Sequence, residues 1–540
     1  MLQQKVIYLL GLLFIFAITF ALYYPSLSFD FVNLDDPAML ISNELVHKIS
    51  LENLSLIFIT GTMGNWVPLT YLTLAIQYSL WGLNPLYYHL INNSLHSINV
   101  CLVTVVFFRL LLLLNPKKYY QNKTTLFLSS CIAGLLYGLH PLRVESVAWV
   151  IELKDILFLL FYLLSILAYI RYLDQIFHDP LKKKLFFHYP TYWLCLLYFI
   201  LSGLSKTMAV SLPITLLLID WCSYRKISFL LLREKIPFIC FCMGFSFMTL
   251  VVTHGVTGDL LWAGWEMRTI NAMAGYGFYL EKTILPLNLA PIYYYEAHIK
   301  SYFWLIYITG IAVSILFGCI YLYGNRFVRA SLFFYLISLI PVIGLTQAGV
   351  QSVADRFSYL PTLIIFLWIA YFLHIFYQTN LTNTAKWCFY LILTFILSIE
   401  CFATRKQLYI WKNAESLWLH QITTHPHPHS YSAIISIYSN TDLDRAFEYS
   451  IEAYSRFPTQ IAFLEYATMI AYHKGMTDLT NKLNSMVLNK KPYSITGLRI
   501  LYLMEKDPIL KKTYYKKMIR LNKNILISYP NPVEDLKHVL

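Results

Sequence analysis

Val6–Tyr23 (VIYLLGLLFIFAITFALY) runs without a charge towards Asp30–Met39 (DFVNLDDPAM), and the junction between the two segments sets the class of the chain. About 20 apolar residues cross the hydrocarbon core of a bilayer as a helix. The first run reads as a membrane span, and the adjacent carboxylates Asp35 and Asp36 stand just past its exit. Each of two such neighbours needs solvent, a cation or a proton to tolerate the other. The pair suits proton transfer at a bilayer surface, one oxygen taking the proton of an acceptor hydroxyl and another orienting it. The plainer alternative is a solvated loop that begins with acids. Lys5 before the apolar core imitates a signal peptide, but Leu22-Tyr-Tyr-Pro25 offers no small-x-small cleavage site, so an uncleaved span is expected.

Composition supports the membrane reading. Of 540 residues, 58% are apolar and 13% charged, against about 25% charged in soluble chains. Aromatics reach 17%, as expected of rings at headgroup level. The net charge of +13 does not point to nucleic acid, because the basic residues are divided among short loops between apolar runs. The nine cysteines are scattered, mostly inside those runs, and read as small buried hydrophobes.

On the scale of about 20 residues per crossing, spans are expected near 5–24, 89–114, 125–140, 156–173, 191–205, 208–221, 236–253, 302–323, 331–346, 359–378 and 385–403. Lys117, Lys118, Lys123, Arg171, Lys182–Lys184, Arg225, Lys226, Arg233, Lys235, Arg326 and Arg329 then share one side. Clusters of this kind mark the cytoplasmic face. Residues 268–285 are apolar enough to tempt a further span, but charge bookkeeping makes them an amphipathic or re-entrant piece. About eleven crossings place the N-terminus in the cytoplasm and the C-terminus opposite. The long connection 25–88 carries amphipathic stretches at Leu51–Thr60 and Pro68–Leu80, expected to lie flat on the outer surface and roof a cavity.

After residue 403 long apolar runs stop. Pro426, Pro458 and Pro492 recur at intervals of 32 and 34 residues, near the 34-residue period of tetratricopeptide helix pairs. Ala446, Ser450 and Ala453 fall at the small-residue positions of such a pair. The expected architecture is thus all-α: a membrane domain over 1–403 and a degenerate helical-repeat domain over 404–540. So short an array is marginal alone and suits packing against a protein partner.

Ionisable groups near membrane depth are functional candidates, since their desolvation must be offset. They fall in four clusters: Asp35-Asp36; His140-Pro-Leu-Arg143-Val-Glu145, continuing to Glu152-Leu-Lys154-Asp155; Ser205-Lys206-Thr207; and Asp355-Arg356 with Tyr359. Bland accounts exist for each. Glu152 and Asp155 suit the N-terminus of a helix, Lys154 and Lys206 can snorkel, and Arg143 with Glu145 can form a packing ion pair. The convergence of all four on one face favours function. His140 and Glu145 lack zinc-ligand spacing, and His425-Pro-His-Pro-His429 reads as a solvated linker. The chain carries no phosphate loop, GxSxG or dinucleotide turn.

FVNLDD (31–36), NWVPLTYLTL (65–74), WGLNPLYYHLINNSLHSINVCLV (81–103), HPLRVESVAWVIELKD (140–155), SKTMAVSLP (205–213) and DRFSYLP (355–361) occur in that order. The series resembles the GT-C superfamily of membrane glycosyltransferases, and within it the TMTC-like, tetratricopeptide-bearing relatives of protein O-mannosyltransferases. The resemblance implies a sugar donor carried on a polyprenyl phosphate, used on the non-cytoplasmic face. It implies a catalytic acid at Asp35 or Asp36, and Arg356, Lys206, Lys154 and Arg143 around the lipid phosphate. His140, Glu145, Glu152, Asp155, Asp355 and Tyr359 then support the cavity. Where relatives follow the lysine of the SK motif with Glu, this chain has Thr207. The implied acceptor is a hydroxyl on a protein, glycan or lipid; no cofactor is required, and a divalent metal stays open. A bacterial inner membrane with a periplasmic C-terminal domain is expected. A membrane-anchored repeat scaffold and a transporter or flippase are the competing readings.

Overall fold

The computed structural model describes residues 2–114, 122–178, 185–225, 228–253, 265–345, 351–379 and 382–521. The chain is an all-α, multi-pass membrane protein. Its described strands form one small antiparallel pair, Tyr293–Tyr294 with Gln351–Val353. By contact the chain divides into Met1–Leu417 and Trp418–Leu540. The last long helix, Asn383–Ile410, runs seven residues beyond the end expected for its span.

Six described helices are long and apolar enough to cross a bilayer: Gln3–Ser28, Pro85–Leu113, Val150–Phe177, Phe229–Thr253, Trp304–Tyr323 and Asn383–Ile410. The pair Lys123–Gly138 and Pro141–Ala148, bent by 60°, is long and apolar enough only when taken together, as a broken span or a re-entrant loop. By length and composition the described residues thus hold six such helices, or seven with the bent pair, beside about eleven apolar runs expected from the sequence. The apolar runs at 191–205, 208–221 and 359–378 form the shorter helices Pro190–Ser205, Thr207–Cys222 and Leu363–Gln378. Of the run at 331–346, residues 331–339 belong to the helix Arg326–Leu339, and the run's last residue lies outside the described residues. At 1.5 Å per residue a 16-residue helix reaches about 24 Å, less than the hydrocarbon thickness. Of residues 268–285, all but Leu285 fall within a continuous helix, Trp265–Ile284, outside the spanning set.

The helix Lys123–Gly138 packs tightly on Pro85–Leu114. A β-carbon on Gly134 would meet Thr104 at 2.1 Å, and one on Gly138 would meet Val100 at 2.4 Å. Small residues let membrane helices approach closely. Beyond Gly138, every residue from 133 to 159 is buried, including all the ionisable groups of the HPLRVESVAWVIELKD motif.

The connection 25–88 folds into short helices with local stop and start signals. Asn43 and Ser50 cap Glu44–His47 and Leu51–Ile59 through their side-chain oxygens. Pro68 opens Pro68–Trp81, and Gly82 closes it at φ 58°. Met39, Leu40, Val46, Ile57, Tyr71 and Leu74 bury their side chains against Val150, Ile151, Leu153 and Leu157. Each such side chain contributes about 1.5–3 kcal/mol. This small core holds the Asp35-Asp36 turn against the start of the long helix Leu153–His178.

In the C-terminal unit, Pro428–Ser439, Leu443–Arg456, Ile461–His473, Thr477–Lys490, Ile495–Met504 and Pro508–Leu521 follow one another through three- and four-residue connectors. Ala446, Ser450 and Ala453 are fully buried, while Pro426, Pro458 and Pro492 all lie in connectors. Leu464, Ala467, Ala471, Leu483 and Val487 form a shared core. Of the His425–His429 segment, His425–His427 form a connector and Pro428 and His429 open the next helix, which His427 caps by accepting from the His429 N–H.

Candidate functional site

The segment between Gly138 and Leu153 delivers acids to one place from a broken backbone. A short 3-10 turn at Pro141–Arg143, a helical turn at Val144–Ala148 and another 3-10 turn at Val150–Glu152 replace a continuous helix. Asn92 Nδ2 supports the last turn by donating to the Val150 carbonyl at 3.2 Å. Backbone irregularity at membrane depth is tolerated where protein satisfies it.

Arg356 arrives on the far side of the Tyr293–Val353 strand pairing, in the turn Asp355–Ser358. Its backbone N–H donates to Glu145 Oε2 at 2.8 Å, its Nη1 pairs with Glu145 Oε1, and its Nε lies 3.3 Å from Glu152 Oε1. The Lys154 ammonium is 2.9 Å from the same Glu152 oxygen. Lys206, at the C-cap of Pro190–Ser205, pairs with Asp155 Oδ1, whose Oδ2 accepts from Ser146 Oγ at 3.2 Å. Removing charges from water is expensive unless they are paired and hydrogen-bonded. Here three cations are held against three carboxylates. Burial works against the Arg356 charge, but Glu145 and Glu152 outweigh it and raise its pKa.

The two acids of the opening turn differ sharply. Asp36 is fully buried, with Oδ2 accepting from the Val32 N–H and Oδ1 from Trp149 Nε1, both at 2.8 Å. Burial is the main reason its pKa is pushed up to about 7, with Asp35 adding to the rise and the two hydrogen bonds and Lys154 opposing it. Asp35 is half-buried and makes no side-chain hydrogen bond or ion pair among the described residues, though it interacts electrostatically with Lys154. A chain of contacts therefore runs from Asp36 through Trp149 to the cations. Arg356 Cζ is 5.3 Å and Lys154 Nζ 5.6 Å from the centre of the Trp149 ring.

The remaining candidates take other positions. Arg143 does not pair with Glu145. It is fully buried, donates to Thr362 Oγ1 at 2.9 Å and faces the rings of Tyr137 and Tyr359, so it engages a different set of groups from Arg356. His140 donates from Nε2 to the Thr283 carbonyl at 3.0 Å and accepts the Leu142 N–H at Nδ1, a capping role. Tyr359 donates to His96 Nδ1 at 2.7 Å, while its carbonyl accepts from Tyr137. Asp355 accepts from the Tyr293 hydroxyl at 3.0 Å; burial and Glu145 raise its pKa well above the carboxylate range. Lys154 and Lys206 are paired within the protein rather than snorkelling. Sequence reasoning assigned no role to Trp149 or Tyr293. Trp149 had a signal, an aromatic residue inside an acid- and base-rich motif; Tyr293 had none. Among the described residues no group of three or more His, Cys, Asp and Glu is placed to hold a metal ion.

No family model matches the chain. It is 37% identical to human protein O-mannosyl-transferase TMTC1 over 108 residues, 20% of this chain and 11% of the relative. Over that stretch the chain is TMTC-like. Drosophila melanogaster Tmtc1 is 30% identical over 164 residues, covering 29% of this chain and 18% of its own. Human TMTC3 is 32% identical over 158 residues, covering 28% and 16%. The chain thus matches less than a fifth of the length of these TMTC relatives. Among solved structures, ArnT from Cupriavidus metallidurans bound to undecaprenyl phosphate aligns with a TM-score of 0.36 at 11% identity, over 79% of this chain and 80% of that one.

Proposed function

We propose that the protein is a membrane glycosyltransferase of the TMTC-like kind. It moves a sugar from a polyprenyl-phosphate donor to an acceptor hydroxyl on the non-cytoplasmic face. The observation that carries this reading is the juxtaposition of a half-buried, unpaired carboxylate at Asp35 with a buried set of fixed cations at Lys154, Lys206 and Arg356. The TMTC-like stretch supports it.

In this reaction the acceptor oxygen attacks the anomeric carbon from the face opposite the phosphate. The bond from that carbon to the phosphate oxygen breaks, its electron pair stays on the phosphate, and the acceptor proton passes to Asp35. A single displacement inverts the anomeric centre. Negative charge develops on the leaving phosphate, where pre-oriented cations in a partly dehydrated site are most effective. The carboxylate paired with each cation fixes its position, so little reorganisation accompanies the reaction. Asp36 orients its neighbour. The reaction as drawn consumes no nucleotide and no organic cofactor. The C-terminal helices are read as degenerate tetratricopeptide pairs that bind a protein partner, and the membrane as a bacterial inner membrane.

The test is transfer from a radiolabelled mannosyl-phosphoryl-polyprenol to membrane acceptors. Asp35→Asn, inserted at the normal level, should abolish labelling, and retained labelling would move the base elsewhere. Cysteine labelling should reach positions 35 and 356 from the same side of the membrane.

A further inference from the structure

Asp36 is tied to two parts of the molecule at once. Its Oδ2 closes its own turn on the Val32 N–H, and its Oδ1 accepts the indole N–H of Trp149. The ring of Trp149 faces Lys154 and Arg356. It also stacks on Trp411, with ring centres 5.6 Å apart and planes 24° from parallel. The residue after Trp411, Lys412, accepts the Asp30 N–H on its carbonyl at 3.0 Å. The acidic turn is therefore anchored at its start beside one indole and at its end by the other.

We propose that Trp149, backed by Trp411, is a positioning residue that holds the Asp35-Asp36 turn in register with the cations, through its N–H on one side and its ring face on the other. This rests on the function proposed above. An indole nitrogen is a donor only, so it favours the ionised form of Asp36, and the electron-rich ring face favours the cations. Phenylalanine keeps the ring and loses the donor; leucine loses both. The charged groups facing Asp36 are Asp35, from its own turn, and Lys154, from across the site. With the indole donor gone, the balance among these groups moves towards the protonated acid.

The experiment uses the full chain in lipid nanodiscs. Infrared titration follows the protonated-carboxyl band assigned to Asp36 by its absence in Asp36→Asn. In Trp149→Phe the midpoint should rise by about one to two pH units, the equivalent of one hydrogen bond to a charged group. Trp411→Leu, which keeps the donor but removes its backing, should move it the same way by less. Coincident midpoints in all three proteins overturn the proposal. With mannosyl-phosphoryl-undecaprenol as donor, Trp149→Phe should lower kcat at least tenfold and leave KM within about threefold, whereas Trp149→Leu should also raise KM. An unchanged kcat in Trp149→Phe overturns the positioning role. Wild-type turnover in Asp35→Asn together with a shifted Trp149→Phe midpoint would sink the proposed base and leave the tie to Asp36 standing. An inactive Asp35→Asn with coincident midpoints would do the reverse.

Discussion

Two buried charge clusters sit on the long helix Leu153–His178, and they are built to different ends. One begins at Asp155; the other is centred on Tyr169, about 21 Å further along at the helical rise. In the second cluster the Tyr169 hydroxyl donates to Asp220, at 2.7 and 2.6 Å from its two oxygens, and accepts from Lys235 at 2.5 Å. Arg225 reaches Asp220 at 2.9 Å and Glu234 at 2.8 Å, and Lys235 lies 3.0 Å from Asp220. Two cations meet two carboxylates, and the account closes. The Glu145–Arg356 cluster has the same pairing logic but keeps Asp35 unpaired at its margin and an aromatic ring against its cations. Burial of charge is common to both and does not mark a site. On the function proposed above, the carboxylate left at the edge does.

The largest expected effect tests that distinction in rate. Asp35→Asn should reduce sugar transfer by about 10²–10⁴-fold, the range of a general base, with little change in thermal stability. Asp220→Asn should leave turnover per folded molecule near wild type. If the two variants lose activity equally, the contrast between the clusters is wrong.

Stability should reverse the order. Asp220→Asn leaves Arg225 and Lys235 buried with one carboxylate fewer, and breaking a buried pair in this way costs about 3–5 kcal/mol. Thermal unfolding in nanodiscs reads this out. A loss below about 1 kcal/mol would mean that the Tyr169 cluster is hydrated and not a pin.

How much of this was legible beforehand follows from where the pairing partners lie. Asp35-Asp36, Glu145, Glu152-Lys154-Asp155, Lys206 and Arg356 stand out because each interrupts an apolar stretch, and the structure brings these clusters together. What local pattern does not carry is the choice of partner. Glu145 pairs with Arg356, 211 residues away, rather than with nearby Arg143, and nothing in the spacing distinguishes the two. The Tyr169 cluster was hidden for a different reason. Arg225 and Lys235 look like loop cations that set orientation, yet their side chains are 15% and 1% exposed, because Asp220 and Glu234 draw them inward. Composition does not show where a helix breaks, and the apolar runs at 191–205, 208–221 and 359–378 form the shorter helices Pro190–Ser205, Thr207–Cys222 and Leu363–Gln378.

Asp36 sharpens the comparison through pH. Its pKa is raised to about 7 by burial, above the ordinary value near 3.9 for an unfolded chain. A carboxyl raised on folding contributes stability that is fully present below about pH 4 and is lost as pH climbs through about 7, by about 1.4 kcal/mol per pH unit within that window. Wild type minus Asp36→Asn should show that slope in unfolding measurements. Turnover should run the opposite way and rise towards pH 7 and above, as Asp36 ionises and grips the turn. A flat difference between the two proteins would mean that Asp36 is hydrated and free to ionise in place.

The smallest effect probes the closed cluster from its neutral member. Tyr169→Phe removes a hydroxyl that both donates to Asp220 and accepts from Lys235. The ion pairs of Arg225 with Asp220 and Glu234 remain, so the loss is that of a buried hydrogen-bonding group, about 1–3 kcal/mol. Because the hydroxyl belongs to a network, its deletion should not add to that of Asp220. The double variant should be less destabilised than the sum of the singles, with a coupling of about 0.5–3 kcal/mol. Additivity would mean that Tyr169 and Asp220 act independently, and the second cluster would then be a set of local pairs instead of a single closed unit.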